Sequence, residues 1–219
     1  MRCRAFRASR SVTGRKIERM KHALIVSHPN EDSFTASMAR AYGEAIRALG
    51  DEILVRDLYR MRFDPRLEAD EIPGPGGFAP HADVAAERAL LQGAGSFAFF
   101  YPVWFNAPPA MLKGYIDRVF GMGFGYGMGP GGNVPLLTGK SMISFSSSGA
   151  PMSWLVESGA WEAMRKLHDE HVAGVCGLVV LDHIHFGAIA PNITAEAVES
   201  CAGEVRAAAD RRFRRVAGG

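Results

Sequence analysis

Length, composition and charge indicate a globular protein of one domain, or barely two. The chain has 219 residues, of which 47% are hydrophobic and 22% are charged. These proportions exclude a disordered chain and a collagen-like repeat. No apolar run approaches the roughly 20 residues that cross a bilayer, so we expect no stable membrane insertion.

The three cysteines are Cys3, Cys176 and Cys201. They lie far apart and lack the spacing of a zinc site or a CxxC redox motif, so we expect no metal site and a cytoplasmic location. Cys176 stands at the entrance of an apolar segment, and we interpret it as a small buried residue rather than a reactive thiol.

Residues 1–20 form a basic extension with seven Lys and Arg and a single Glu, which leaves 18 basic and 22 acidic residues in the rest of the chain. The slight overall basicity therefore belongs to this segment, and we expect no nucleic-acid partner. Either translation begins at Met20, which we favour, or the segment is an Arg- and Ser-rich leader. In both cases the folded domain is expected to span residues 21–219, with 1–20 disordered or upstream of the true start.

From Ala23 onward, short apolar runs alternate with segments of helical periodicity. The predicted strands are 23–27, 53–55, 96–101, 140–146 and 177–184, and the predicted helices are 34–49, 82–93, 109–120, 158–172 and 195–214. Strict alternation of this kind predicts a doubly wound α/β fold, with a five-stranded parallel sheet and helices on both faces. A Pro- and Gly-rich loop at 72–80 is expected to be mobile or close to a ligand.

In such a sheet, ligands bind beyond the carboxyl ends of the strands, where the strand order reverses. The loop after the first predicted strand, Ser27–Thr35, contains neither GxGxxG nor a P-loop motif, which disfavours a Rossmann dinucleotide site and an NTPase. Its end opens a helix, where free N–H groups and hydroxyls can receive a phosphate. Equally, Asp32 or Ser33 can simply cap the helix.

The loops after the third and fourth predicted strands are also unusual. Trp104, Phe105 and Asn106 fall at the carboxyl edge, where aromatic side chains either cover a planar heterocycle or pack in the core. The hydroxyl-rich run Ser144–Pro151 is either a flexible turn or a set of donors to a carbonyl-bearing ring. All three loops are expected to converge at one edge of the sheet.

Five motifs stand out in the sequence: ALIVSHPNEDSF at 23–34, DLYRMRFDP at 57–65, YPVWFNAPPAMLKGYIDRVF at 101–120, GFGYG at 123–127 and SFSSSG at 144–149. Together they make the chain similar to the NAD(P)H:quinone oxidoreductase family, whose members are flavodoxin-like flavoproteins of the DT-diaphorase type. The third motif is the most specific of the five. The resemblance spans about 23–187 and implies a flavodoxin-like fold.

The resemblance also implies roles for individual residues. The phosphate-bearing chain of the flavin would contact His28, Ser33, Phe34 and Thr35; the ring would contact Pro102, Val103, Trp104 and Phe105, with Asn106 in the same loop; and Ser146, Ser147, Ser148 and Gly149 would hold its other edge. Tyr126 would border the quinone pocket, typically from the partner subunit. The chain lacks the Tyr and His that relatives place after Gly149, and we interpret His168 and His171 on a later helix as surface residues.

The implied activity is a two-step hydride transfer from NAD(P)H through a bound flavin to a quinone, by a ping-pong mechanism. The implied cofactor is FAD, with FMN as the alternative, and the implied assembly is a homodimer. Two other functions remain open: a flavoprotein regulatory subunit of a potassium efflux transporter, and a flavodoxin that carries single electrons.

Overall fold

A computed structural model describes residues 19–74 and 77–215 of the chain. Its strands are β1 (Lys21–Val26), β2 (Glu52–Asp57), β3 (Ser96–Pro102), β4 (Tyr126–Gly129), β5 (Gly132–Pro135), β6 (Ser141–Ser147) and β7 (Val179–Phe186). Five of them form one parallel sheet in the order β2-β1-β3-β6-β7, while β4 and β5 form a separate antiparallel hairpin. The basic extension lies almost wholly outside the described residues.

The helices cover both faces of the sheet. They are α1 (Phe34–Ala48), α2 (Ala82–Leu91), α3 (Ala110–Val119), α4 (Met152–Glu157), α5 (Ala160–Met164), α6 (His171–Cys176) and α7 (Ala195–Phe213), with a short 3-10 turn at Ala69–Glu71 and a π-helical segment at Arg165–Glu170. One hydrophobic core joins the sheet to α2, α3 and the helices near α6, and a second joins it to α1 and α7. The predicted doubly wound fold is confirmed.

The strand order reverses between β1 and β3. The chain leaves β1 for β2 on one side and then returns across β1 to β3, so the loops that follow β1 and β3 flank a crevice. This crevice is the ligand position of doubly wound sheets. Pro102 ends β3 as expected, and the carboxyl ends of β3 and β6 remain paired through Pro102 and Ser147.

The structure differs from two sequence-based expectations. The predicted helix at 158–172 corresponds to α5, the π-helical segment and α6, which follow one another from Ala160 to Cys176. The π-helical segment within it was not predicted, nor was the separate α4 before Gly159, which has φ 74°. The β4–β5 hairpin was not predicted, since its glycines conceal the strand pattern.

The π-helical segment also corrects the interpretation of His168, which is buried rather than on the surface. His171 is exposed, as expected, and Cys176 is buried, as expected. Burial raises the pKa of the Cys176 thiol to about 11, which keeps it protonated and unreactive.

The sequence motifs at 57–65 and 101–120 contact each other in the fold. Gly114 of α3 packs so closely on Pro65 that a Cβ atom would lie 2.1 Å from the Pro65 carbonyl oxygen. The Arg118 guanidinium then binds Glu71, Asp83 and the Asp64 carbonyl oxygen at 2.7–3.1 Å. These contacts attach the segment after β2 to α3 and so fix the position of α3, which follows the loop after β3. Over the described ranges, no helix combines the length and apolarity that a bilayer span requires.

Candidate active site

The loop after β1 leaves backbone donors free at the start of α1. Ser33 caps the helix, since its Oγ accepts the Ala36 N–H at 3.2 Å, while Asp32 faces solvent. The N–H groups of Phe34 and Thr35 have no intrahelical partner by geometry, and none is found among the described residues. Capping and anion binding are therefore compatible here, because they use different N–H groups.

The loop after β3 forms a tight turn at Trp104–Ala107. The two end residues exchange backbone hydrogen bonds of 3.0 and 3.1 Å, and the central residues Phe105 and Asn106 have φ of 50° and 57°. Positive φ at both central positions is the pattern of a type I′ turn, which suits Asn but strains a bulky aromatic residue. The Phe105 side chain is fully exposed, so no packing within the described chain compensates for this strain.

The same turn determines which amides are available for a ligand. The Val103 N–H donates to the Ser147 carbonyl oxygen at 2.7 Å, and the Trp104 N–H is used within the turn. The amides of Phe105 and Asn106 have no partner in the described part of the chain. Donors to a bound ring would therefore come from the middle of the turn rather than from its start.

Contacts between the loops show that they converge. The His28 ring lies 6.0 Å from the Trp104 ring, which joins the loops after β1 and β3. The Phe34 ring packs edge-on against Phe186 at 5.4 Å, and the Ser148 N–H donates to the Phe186 carbonyl oxygen. The structure thus brings the predicted loops to one edge of the sheet.

A buried polar chain lies behind this edge, and its β7 members were not predicted. It consists of Ser144, Ser146 and Ser148 from β6 and the residue after it, His183 and His185 from β7, and Asp169 from the π-helical segment. Serines and histidines at alternate positions of two neighbouring strands share a face of the sheet, so the patterns SFSSS and HIH were the available signal.

Electrostatics in the polar chain follow from burial. Burial opposes ionisation of Asp169, but the hydrogen bond from His183 and the nearby positive charge hold its pKa below the usual range. Burial and the charge of His183 lower the pKa of His185 to about 4. Burial also lowers the pKa of His168 to about 4, although the Asp169 carboxylate opposes this shift.

The hydroxyl of Ser146 points into the polar chain rather than toward the edge. Its Oγ lies 2.7 Å from His183 Nε2 and 2.8 Å from His185 Nδ1, and the residue is only 2% exposed. Ser148 lies one step further out, and Gly149 is exposed. At this side of the edge, Ser148 and Gly149 are thus better placed for a ligand than the Ser146 hydroxyl.

A largely apolar groove of about 510 Å³ adjoins the turn. Its walls come from the 106–108 segment, α3, the π-helical segment, α6 and Tyr126 at the start of β4. Residues of the loops after β1 and β6 do not line it. The groove therefore enlarges the candidate site beyond the Trp104–Ala107 turn, and Tyr126 forms part of its wall.

These features fit a ligand with a phosphate and a planar polar ring. The start of α1 supplies free N–H groups, and the turn supplies two more beside exposed aromatic side chains. The buried hydroxyls of Ser27, at the end of β1, and Tyr101, in β3, lack partners in the described ranges. Buried polar atoms without a partner are uncommon in proteins, and both hydroxyls belong to the β1 and β3 segments that lead into the site.

The chain matches a family model described as a flavodoxin-like fold over residues 20–209. An NAD(P)H oxidoreductase of Haemophilus influenzae is 30% identical over 171 residues, which cover 78% of this chain and 85% of that protein. NAD(P)H dehydrogenase [quinone] 1 of Cavia porcellus is 33% identical over 125 residues, covering 49% of this chain and only 46% of the relative.

Among solved structures, the NAD(P)H:quinone oxidoreductase of Methanothermobacter marburgensis superposes with a TM-score of 0.78 and 25% identity, over 92% of this chain and 100% of that one. The fold and these relatives define an α/β oxidoreductase. The chain belongs to the flavodoxin-like NAD(P)H oxidoreductase family.

Proposed function

We propose that the protein is a cytoplasmic flavoprotein that transfers two electrons from NAD(P)H to a quinone by a ping-pong mechanism. The observation that carries the proposal is the pairing, at the strand-order reversal, of free N–H groups at the start of α1 with the strained, exposed Trp104–Ala107 turn. A phosphate suits the first feature and a planar ring suits the second.

The chain's own residues would bind and orient the cofactor. Phe34 and Thr35 would donate backbone N–H groups to its phosphate, with His28 alongside, and Trp104 and Phe105 would cover its ring. A helix terminus contributes only about 0.3–1 kcal/mol, whereas nanomolar retention requires about 12 kcal/mol. Ring burial must therefore supply most of the affinity. When bound, a flavin supplies the two-electron chemistry that joins the oxidation of NAD(P)H to quinone reduction.

The groove beside the turn would receive the quinone and the nicotinamide in turn. It is mainly apolar, and Tyr126 and Asn106 place polar groups at its edge. The β4–β5 hairpin next to it exposes Met128, Val134 and, just after β5, Leu136. A second copy of the chain would cover this apolar hairpin, which supports a homodimer as the active form.

We favour FAD over FMN as the cofactor. An open cleft of about 440 Å³ adjoins His28 on the β2 side and is lined in part by Asn30, Tyr59 and Arg60. This space next to the phosphate position can hold the adenosine that distinguishes FAD from FMN. Cofactor extraction followed by chromatography distinguishes them, since released FMN alone would contradict the FAD assignment.

The test is a spectrum and a steady-state assay of the purified protein. We expect flavin absorbance and NADPH oxidation that depends on menadione. Trp104→Ala should release flavin more readily or lower quinone turnover, whereas Trp154→Ala should do neither; the two tryptophans are 44% and 46% exposed, which makes them a matched pair. A colourless protein that binds neither FAD nor FMN would refute the proposal. Flavin without NADPH oxidation would indicate a single-electron carrier instead.

A further inference from the structure

The polar chain has the geometry of a Ser-His-Asp triad, but its serine is not a nucleophile. Ser146 Oγ lies 2.7 Å from His183 Nε2, and His183 Nδ1 lies 2.6 Å from Asp169 Oδ2. A nucleophile must reach a substrate, whereas Ser146 is buried and has a second histidine, His185, on its other side. The chain of hydrogen bonds therefore continues from Ser146 to His185 instead of ending at Ser146.

The hydrogen-bond directions determine how many protons the two histidines carry. Asp169 accepts from Ser144 Oγ at 2.8 Å and from His183 Nδ1, so His183 Nδ1 bears a proton. At the other end, the Ser148 hydroxyl donates to the Ala150 carbonyl oxygen at 2.8 Å. That hydroxyl has only one proton, and therefore His185 Nε2, 2.9 Å from Ser148 Oγ, must be the donor of that contact.

The Ser146 hydroxyl also has one proton and lies between two ring nitrogens, His183 Nε2 and His185 Nδ1. It can donate to one of them, and the other must then donate to it. The two histidines together carry three N–H groups, which means one positive charge between them. The adjacent Asp169 carboxylate favours that charge on His183, and the lowered pKa of His185 agrees with this.

We propose that His183, Ser146 and His185 form a relay that stores one proton beside Asp169 and passes it to His185, so that the positive charge then lies against Ser148 and next to a negatively charged group bound at the loop after β6. Movement of the proton along the relay involves no oxidation or reduction. The His183 Nε2–H bond breaks as its proton passes to Ser146 Oγ, and the Ser146 proton forms a bond to His185 Nδ1. The charge then lies next to Ser148, at the edge of the candidate site.

The surroundings keep the stored proton in place. The side chains of His183 and Asp169 are each 1% exposed, and Trp161 of α5 covers the rings of His183 and His185 at 4.8 and 5.6 Å. Water therefore has little access to the inner end of the relay, at His183 and Asp169. The other titratable groups that face it are Tyr101 from β3, His168 from the π-helical segment, and Asp182 of β7, which pairs with Arg212 of α7.

Burial raises the pKa of Tyr101 well above its usual value, and His168 is neutral at pH 7 because its pKa is lowered to about 4. Neither of these groups therefore supplies a competing charge near neutral pH. The relay has no other buried cation in contact with it among the described residues, so the pair of histidines is the place where a proton is held.

The consequence for catalysis rests on the proposed function, but the proton count does not. Nitrogen-15 NMR of the histidine rings therefore tests the relay directly, in the protein as purified. At pH 7 we expect one ring protonated on both nitrogens and a neighbouring ring protonated on Nε2 alone. His183→Gln and His185→Gln assign the two sets of signals. Two neutral rings at pH 7 would overturn the proposal whether or not the protein binds flavin.

Further variants separate a relay from a purely structural network. Asp169→Asn removes the carboxylate and should remove the doubly protonated ring, while Ser148→Ala should leave the charge and abolish only the outermost contact. Because Asp169→Asn lies in the core and folding can fail, Ser146→Ala provides a second test. Without this hydroxyl, the ring signals of His185 should no longer change when His183→Gln is added, whereas an unchanged effect of His183→Gln on His185 would contradict the relay.

In the flavin-loaded enzyme, His185→Gln should lower kcat by about tenfold and shift its pH profile, with KM for NADPH little changed. This is less than the roughly hundredfold loss of a direct donor, since His185 acts through Ser148 as a positioning residue. His81→Gln, at an exposed histidine paired with Asp70, is the control. An unchanged pH profile in His185→Gln, with a doubly protonated ring still seen by NMR, would separate a failed catalytic role from a correct proton count.

Discussion

Replacing Phe105 with glycine should make the protein more stable and its flavin site weaker. The φ of 50° at Phe105 lies in the left-handed region, which costs a residue with a Cβ atom about 1–2 kcal/mol. The greater freedom of glycine in the unfolded chain offsets about 0.5–1 kcal/mol of the relief. Because the ring is fully exposed, no burial is lost in the flavin-free protein.

The net gain therefore lies between about 0 and 1.5 kcal/mol, and the middle values give about 0.75 kcal/mol. For a chain of this size, Tm should then rise by roughly 1.5–3 °C. Loss of an aromatic ring that covers the cofactor should cost about 1–2 kcal/mol of binding, or about five- to thirtyfold in the flavin Kd. Thermal unfolding of the flavin-free protein measures the first effect. Titration of flavin fluorescence measures the second.

Phe105→Ala is the matched control, because it removes the ring but keeps the Cβ atom and its strain. It should show the same loss of flavin affinity with no rise in Tm. Asn106→Gly should change Tm little, since Asn tolerates positive φ better than Phe. A lower Tm in Phe105→Gly would show that the turn is not strained, and an unchanged flavin Kd in both Phe105 variants would show that the ring does not cover the cofactor.

Three further results are expected. Arg118→Met should lower Tm by roughly 6–20 °C, because breaking a buried ion pair costs about 3–5 kcal/mol. Lys113→Met on the same helix loses only an exposed pair and should shift Tm by less than about 2 °C. Equal shifts in the two variants would contradict the assigned burial. The pKa of His168 is lowered to about 4 in the folded protein. The unfolded chain therefore binds more protons than the folded protein as pH falls from about 6.5 toward 4, and the free energy of unfolding should decrease over that window. His168→Gln should flatten this decrease, which urea titrations at several pH values would show. Finally, peptide mapping after alkylation at pH 8 should find native Cys176 unmodified, with the less buried Cys201 reacting first.

Much of the fold could be predicted, because its signals are local. The apolar run at 96–101 corresponds to β3, and the periodicity from Phe34 together with Gly50 gave α1 nearly to the residue. Strict alternation then fixed a parallel sheet. The helix predicted at 158–172 is also present, but its π-helical segment could not be predicted, since it depends on tertiary packing that draws His168 and Asp169 into the core.

The candidate site could likewise be predicted only where its signals are local. Loops were predictable from their position after apolar strands, and their convergence follows from the parallel sheet. The positive φ at Phe105 was not predictable, because nothing in the residue type favours it. Neither was the direction of the Ser146 hydroxyl, which depends on the register that places it between His183 and His185.

The polar chain has no evident purpose in stability. A strand such as β6, with a neighbour on each side, is normally apolar on both faces, and exchanging a buried ionic network for well-packed apolar residues is often neutral or stabilising by about 1–4 kcal/mol. Apolar residues could replace the whole network, including Asp169, His183 and His185, at little cost. What an apolar face cannot do is carry a proton from His183, beside Asp169, to His185, beside Ser148, and Ser148 stands at the same edge as the strained turn. Two features that local stability does not favour therefore meet at one place, and a shared function there accounts for both.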